Sequence, residues 1–212
     1  MRRPPDADRL LRFARPVRWA HRTTAGLMLT CLFTAACLYV TPLAELVGRR
    51  RLVTTVHVWA GVALPVPLLC GLAFRALRAD VARLSRFAPV DRAWLRAVRT
   101  RTAYRPAGKF NAGQKLYAQW TLGSMLVMLG TGLLMWLTHL APPSLRPGAT
   151  FVHDWLAWAV AAVTAGHIWM AVRDPQARLG MRTGLVDRGW AVREHPHWEQ
   201  ERPAESAPGT VP

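Results

Sequence analysis

The sequence predicts an all-α membrane protein, a bundle of four transmembrane helices with both termini in the cytoplasm. Apolar residues make up 51% of its 212 residues. They collect in four runs, each close to the roughly 20 residues that a helix needs to cross a bilayer. The formal charge of +16 is concentrated between these runs. Four spans in so short a chain leave little room for a soluble domain, so we expect a single membrane domain.

The four runs place the spans at about 23–40, 53–72, 116–137 and 151–172. Together they form one membrane domain over 23–172, between a cytoplasmic N-terminal segment (1–22) and a cytoplasmic tail (173–212). No small-residue cleavage site follows the first run, so we expect a retained span and not a signal peptide. Pro65 and Pro67 predict a kink in the second span. Tryptophans lie near the span ends, as in interfacial aromatic belts: Trp19, Trp59, Trp136, Trp155 and Trp169.

Basic residues orient the chain, because the cytoplasmic connections of membrane proteins carry the excess of positive charge. The N-terminal segment, the connection 75–114 and the tail hold most of them, whereas the connection after the third span holds only Arg146. The triplet Arg49–Arg51, after the first span, runs against this rule. We expect a multi-pass protein of the cell (cytoplasmic) membrane, in contact with lipid and not with nucleic acid. The arginine-rich stretch 75–109 is interpreted as a loop facing solvent or lipid headgroups, or alternatively as a docking surface for a partner.

The cysteines indicate no disulfide or metal cluster. Cys31, Cys37 and Cys70 all lie inside predicted spans, and the chain has no CxxC or CxxCH motif. Iron–sulfur ligation and covalently attached c-type haem are therefore not expected.

Two histidines of the fourth span, His153 and His167, are the first candidates for cofactor ligands. They lie fourteen residues apart, which is about 21 Å along a helix, and their side chains share one face. An imidazole in hydrocarbon is costly and usually functional. Two of them near opposite ends of one span suggest two ligand sites at two membrane depths.

The other spans supply one partner histidine at each depth. His21 lies at the cytoplasmic entry of the first span, level with His167, and His57 lies near the outer end of the second span, level with His153. Two imidazoles on one haem iron have their nitrogens about 4 Å apart, since metal–imidazole bonds are near 2 Å. The pairs His21–His167 and His57–His153 therefore predict two stacked b-type haems. Alternatively, the four histidines only form hydrogen bonds within the bundle or anchor it at the membrane interface.

The remaining histidines and several glycines are less specific. His139 has no partner at its depth and is expected at the membrane interface, and His195 and His197 lie in the polar tail, where we expect them to face solvent or a partner. Glycines near the histidines suit a haem lying close to the backbone, although small-residue helix packing accounts for them equally well: Gly26, Gly61, Gly123, Gly130 and Gly132.

Longer motifs make the resemblance specific. The segments are RWAHRTTAG, HVWAG, KFNAGQKLYAQW, FVHDWLA, HIWMAVRDPQARLGM and RTGLVDRGWAVREHPHWEQE. From about Arg12 to Glu201, the chain resembles the cytochrome b (gamma) subunit of membrane-bound formate dehydrogenases. Cytochromes b of NiFe-hydrogenases and thiosulfate reductases share the general four-helix di-haem plan. The NAGQK box (111–115) and the tail motif (182–201) favour the formate dehydrogenase type.

The resemblance implies two haems b on the four histidines named above and a quinone site near the cytoplasmic haem. Carried over, the quinone residues are Asn111 and Gly113, with His167 linking haem and quinone and with Gln114 and Lys115 as nearby polar candidates. The residues themselves also allow Asn111 to be the N-cap of the third span. The acceptor is expected to be menaquinone or ubiquinone.

The resemblance also implies the direction of electron flow and the partners. Electrons are expected to enter the outer haem from an iron–sulfur (beta) subunit, which serves a molybdenum-containing catalytic (alpha) subunit. They then reach the cytoplasmic haem and a quinone. The chain itself has no recognisable dehydrogenase active site. The competing hypotheses are the cytochrome b anchor of a NiFe-hydrogenase or another oxidoreductase, and a four-helix transporter or scaffold without haem.

Overall fold

The computed structural model describes residues 8–139 and 142–198. In chain order the elements are β1 (Arg9–Leu11), α1 (Arg15–Tyr39), α2 (Thr41–Val47), α3 (Arg50–Ala63), α4 (Val66–Gly71), α5 (Arg75–Ser85), α6 (Pro89–Arg99), α7 (Ala112–Trp136), a 3-10 turn (Pro143–Leu145), α8 (Arg146–Arg173), α9 (Pro175–Thr183), β2 (Leu185–Asp187) and α10 (Arg188–Glu194). These elements group into two compact units. The span unit comprises 15–78 and 120–173, and the tail unit comprises the described residues of 1–14, 79–119 and 174–212.

The long helices follow the predicted apolar runs. Among the residues that the structure describes, three stretches are long and apolar enough to cross a membrane: Arg50–Gly71, Ala112–Trp136 and Pro143–Arg173. The helix pair α1–α2, which bends by 100°, adds a fourth if it is counted as one span. Large apolar side chains such as Leu126 and Trp158 are exposed on these helices, as expected where lipid and not water surrounds them.

Proline interrupts the helix in the second apolar stretch, for which the sequence predicts a kink. Proline has no N–H to donate and its ring clashes with the preceding turn, so α3 ends at Ala63, just before Pro65. The helix resumes as α4 at Val66, with Pro67 in its first turn, where a missing N–H is tolerated. The helix is thus interrupted where the sequence predicts a kink, and the two helices still form one apolar stretch of 22 residues.

The tail unit contains a small sheet that the all-α prediction did not include. β1 and β2 pair in antiparallel fashion with Leu10 opposite Val186. The pairing is extended by Arg12 and Phe13, whose backbone N–H groups donate to the carbonyl of Gly184. Strands of three residues are too short to show an alternating apolar pattern. Only the fold, by bringing distant segments together, produces them.

The arginine-rich stretch 75–109 is largely helical, so the expectation of a loop was wrong. α6 begins with a capping interaction, in which the Ala88 backbone N–H donates to Asp91 Oδ2 at 2.7 Å. Pro89 occupies the first helical position, where its fixed φ angle suits a helix. Local capping signals therefore explain the start of this helix.

The apolar core of the tail unit lies around the sheet and α10. Val186 is completely buried, and Leu10, Trp190, Ala191 and Trp198 pack with it. The predicted tail motif thus supplies most of a local core. Its last residues, 199–201, lie outside the described residues.

Candidate haem-ligand pairs and the NAGQK box

The span unit brings the four candidate histidines together as two pairs. His57 on α3 and His153 on α8 have ring centroids 6.2 Å apart, with planes inclined at 69°. His21 on α1 and His167 on α8 have centroids 6.4 Å apart, inclined at 52°. Because His153 and His167 lie on the same continuous helix, the two pairs occur at two levels along α8.

Both pair separations fit an iron between two imidazoles. A metal–nitrogen bond of about 2 Å and the distance of about 1.2 Å from a ring nitrogen to the ring centre place two ligating imidazole centroids about 6.4 Å apart. Haem iron takes only two ligands from the protein. Each pair supplies that number of imidazoles, at a separation that suits haem iron.

Two threonines contact the outer pair, and sequence reasoning did not single them out. Thr34 on α1 places Oγ1 2.9 Å from His57 Nδ1. Thr131 on α7 places Oγ1 2.9 Å from His153 Nδ1. Each hydroxyl therefore engages the Nδ1 side of its ring. A hydroxyl residue in an apolar run was the only signal available in the sequence, and threonine is common there.

Several of the glycines have open space beside them. A β-carbon built at Gly26, Gly61, Gly123 or Gly130 would meet no heavy atom within 4 Å. Gly61 lies four residues after His57, hence on the same helix face. At Gly132 a β-carbon would lie 3.4 Å from His153 Cε1, so this glycine packs directly against a candidate ligand. The space beside Gly26 and Gly61 is compatible with a flat macrocycle next to α1 and α3.

The NAGQK box forms a reciprocal cap at the start of α7. Asn111 Oδ1 accepts a hydrogen bond from the Gln114 backbone N–H at 2.9 Å, and Gln114 Oε1 accepts one from the Asn111 N–H at 3.0 Å. This is a capping box, so the N-cap role of Asn111 is confirmed. Gly113 packs against Trp94, whose Cη2 would lie 3.2 Å from an added β-carbon.

Buried ion pairs surround the box within the tail unit. Lys115 Nζ lies 2.8 Å from Asp91 Oδ2 and donates to the Arg86 carbonyl. Lys109 Nζ lies 2.5 Å from Asp80 Oδ1, and Asp80 and Asp91 are both buried. Burial is the largest influence on Lys109 and lowers its pKa, although Asp80 opposes this shift. A cavity of about 370 Å³ opens beside the box and is lined in part by Lys109, Phe110 and Lys115.

His195 is buried, so the expectation that it faces solvent or a partner was wrong. Only 3% of its surface is exposed. Its Nδ1 lies 2.7 Å from the Gly108 carbonyl, and its Nε2 lies 3.0 Å from Arg12 Nη2. Arg12 also donates to the Lys109 carbonyl at 3.1 Å. These long-range contacts join the N-terminal segment, the residues before the box and the tail motif within the tail unit. The two other histidines remain more accessible: His139 is exposed and His197 is half-buried.

The chain is similar to known proteins over most of its length. The family model of prokaryotic cytochrome b561 matches residues 12–181. The nitrate-inducible formate dehydrogenase cytochrome b556(Fdn) subunit of Escherichia coli K12 is 33% identical over 98 residues, which is 44% of this chain and 45% of that subunit. The match thus spans less than half of the length of that relative.

Two further relatives are covered almost completely. The formate dehydrogenase cytochrome b556 subunit of Haemophilus influenzae is 25% identical over 91% of this chain and 83% of its own length. The cytochrome b556(fdo) subunit of E. coli K12 is 24% identical over 92% of this chain and 93% of its own length. The expected likeness to formate dehydrogenase cytochromes b is confirmed. The chain belongs to the prokaryotic cytochrome b561 family, a family of helical membrane proteins whose cofactor is haem b.

Proposed function

We propose that this chain is the di-haem cytochrome b subunit of a membrane-bound formate dehydrogenase, carrying electrons from a partner on the outer face to a quinone at the cytoplasmic side. The observation that carries the proposal is the presence of two histidine pairs, His21–His167 and His57–His153, at two levels along α8. We place the chain in the cytoplasmic membrane as a four-span protein with both termini inside.

The four histidines hold the cofactors in this proposal. His57 and His153 ligate an outer haem b, and His21 and His167 ligate an inner one. Haem b, when bound, supplies reversible one-electron redox chemistry. Each histidine acts as a neutral imidazole that gives a nitrogen lone pair to iron. Their placement on three helices, at two levels along α8, supports two separate haem levels, which is what transfer across a bilayer needs.

We assign the quinone site to Asn111 and Gly113. The cap uses the side-chain oxygen of Asn111, which leaves its amide hydrogens as donors for a quinone carbonyl. The neighbouring cavity, lined in part by Lys109, Phe110 and Lys115, combines an aromatic face with cationic donors. Reduction of the quinone, menaquinone or ubiquinone, takes protons from the cytoplasmic side.

The partners follow from the named relatives, which are subunits of formate dehydrogenases. We propose an iron–sulfur subunit that delivers electrons at the outer face and a molybdenum-containing subunit that oxidises formate. Moving each electron inward against the membrane potential costs about 2.3 kcal/mol per 100 mV. That work is the energy the complex conserves.

Membranes containing the complete complex provide the test. Formate should reduce a b-type haem, seen as an α band in the reduced-minus-oxidised spectrum, and a soluble quinone analogue should reoxidise it. A His139→Ala variant serves as a control, because His139 lies outside both pairs. If hydrogen reduced the haem and formate did not, the partner would be a hydrogenase. If the preparation showed no b-type α band, the chain would not be a cytochrome.

A further inference from the structure

The two threonines beside the outer histidines form matching contacts. Thr34 Oγ1 lies 2.9 Å from His57 Nδ1, and Thr131 Oγ1 lies 2.9 Å from His153 Nδ1. In each case the threonine and the histidine belong to different helices. Thr34 lies on α1 and contacts α3, and Thr131 lies on α7 and contacts α8. Since the geometry is repeated on both members of one pair, it points to a shared role toward whatever the pair binds.

Each threonine hydroxyl also contacts a backbone carbonyl of its own helix. Thr34 Oγ1 lies 2.7 Å from the Thr30 carbonyl, and Thr131 Oγ1 lies 2.8 Å from the Val127 carbonyl. A carbonyl oxygen only accepts hydrogen bonds, and a hydroxyl has one proton to donate. The hydroxyl proton therefore goes to the carbonyl, and the hydroxyl oxygen is left as an acceptor for the ring.

This bonding order fixes the tautomer of both histidines. Nδ1 must carry the proton that it donates to the threonine oxygen, so the lone pair of the neutral ring is on Nε2. A metal-bound histidine commonly donates its other N–H to an oxygen in this way, which orients the ring and raises its basicity as a ligand. Thr34 is 5% exposed, so little water can compete for His57.

We propose that Thr34 and Thr131 are positioning residues for the outer haem, each holding its histidine with Nε2 directed to the iron. The inference rests on the proposed function, in which His57 and His153 are the outer ligands. It adds that the Thr34 contact from α1 to α3 and the Thr131 contact from α7 to α8 set the ligand strength of the outer pair. A histidine that donates a hydrogen bond from Nδ1 is a stronger electron donor, which favours ferric over ferrous iron.

Valine is nearly isosteric with threonine and lacks the hydroxyl, so Thr34→Val and Thr131→Val test the proposal in the intact complex. Loss of such an oxygen partner typically weakens metal binding 10- to 100-fold. We expect the outer haem to be retained at least tenfold less tightly, and any that remains should show a higher midpoint potential. The inner haem should keep its potential and occupancy. Thr34→Ser has a hydroxyl at this position and should therefore recover the retention and the potential of the outer haem.

Thr30→Val is the matched control. Thr30 lies one turn before Thr34 on α1, and its hydroxyl donates to the Gly26 carbonyl of the same helix. This variant should keep both potentials. If Thr34→Val fails to insert, Thr131→Val repeats the test from α7.

Potentiometric titration of both haems separates the outcomes. Suppose that the wild-type protein holds two haems and that the valine variants keep both wild-type potentials and the full haem content. That result would overturn this inference and leave the proposed function standing. A wild-type chain with no haem at the outer pair would overturn both.

Discussion

Two neighbours set the protonation state of His195. Its Nδ1 donates to the Gly108 carbonyl, and its Nε2 accepts from Arg12. Burial, followed by the positive charge of Arg12 acting in the same direction, lowers the pKa of His195 to about 3. Burial also lowers the pKa of Arg12, to about 10, which leaves it charged at neutral pH. A neutral imidazole beside a fixed cation therefore joins the tail to the segment before the NAGQK box.

The depressed pKa of His195 predicts a pH dependence for the tail unit. The folded state takes up the proton only near pH 3, whereas the unfolded chain does so near 6.5. The contribution of His195 to the stability of the folded tail unit is therefore complete above about pH 6.5. It declines as the pH falls toward 3. Hydrogen exchange at residues 105–111, corrected for the intrinsic rate, should show protection declining between pH 7 and 5.

The control variants for this prediction are matched in position. His195→Gln keeps a donor and an acceptor without a titrating ring, so its protection should depend less on pH. His197→Gln, two residues further along, should behave as wild type. Equal pH dependence in wild type and His195→Gln would contradict the assignment.

The capping role of Asn111 and its proposed role in binding quinone can be separated by substitution. Serine at 111 keeps an oxygen for the helix cap but loses the amide donors, whereas alanine loses both. We expect Asn111→Ser to retain the stability of α7 and to lose binding of a quinone analogue. Asn111→Ala should lose binding and in addition about 1 kcal/mol of stability. Unchanged quinone-analogue binding in Asn111→Ser would limit Asn111 to capping.

At the scale of elements, α6 and the start of α7 are joined by a buried charge pair. Asp91 accepts the hydrogen bond from the Ala88 backbone N–H that caps α6. The same carboxylate lies 2.8 Å from Lys115 Nζ. Both residues are buried, so each charge depends on the other for compensation. Removing one partner of such a pair is far more costly than replacing both.

Lys115→Met should therefore destabilise the tail unit by about 3–5 kcal/mol, because it leaves the Asp91 carboxylate buried without a cation. The double variant Lys115→Met/Asp91→Asn should recover part of this loss, since an amide oxygen can still cap α6. Limited proteolysis of 79–119 in the intact complex measures the difference. Similar cleavage rates in the single and double variants would show that the charge pair is not what stabilises this region.

The spans and the helix interruption at Pro65 were predictable because their signals are local. Apolar runs of about 20 residues and a proline act over adjacent residues of the chain. The burial of His195 was not predictable, because it depends on Arg12, 183 residues away in sequence. The β1–β2 pairing was not predictable either, because it also joins segments that are distant in sequence. The helices within 75–109 were missed because their high arginine content was interpreted only as charge.

The candidate site was partly predictable for a related reason. Regular helices convert sequence spacing into depth, so the His21–His167 and His57–His153 pairs could be expected before the structure. Thr34 and Thr131 could not, because their contacts depend on the rotation of one helix against another. Likewise, the contact of Gly113 with Trp94 depends on packing that no spacing rule supplies.

At the scale of the whole molecule, the distribution of basic residues predicts the topology. Reporter fusions test this directly, because green fluorescent protein fluoresces when fused on the cytoplasmic side and alkaline phosphatase is active when exported. A fluorescent protein after residue 212 or within 100–105 should fluoresce, and alkaline phosphatase at 146–148 should be active. Exported activity from the 100–105 fusion would reverse the assigned orientation.

The count of haems per chain tests the central claim most directly. A pyridine haemochrome assay on the purified complex should give two haems b per copy of this chain. His153→Ala and His167→Ala should each leave about one, with different midpoint potentials surviving in the two variants, and His139→Ala should keep both. Retention of the full haem complement by either His153→Ala or His167→Ala would contradict the two-level pairing.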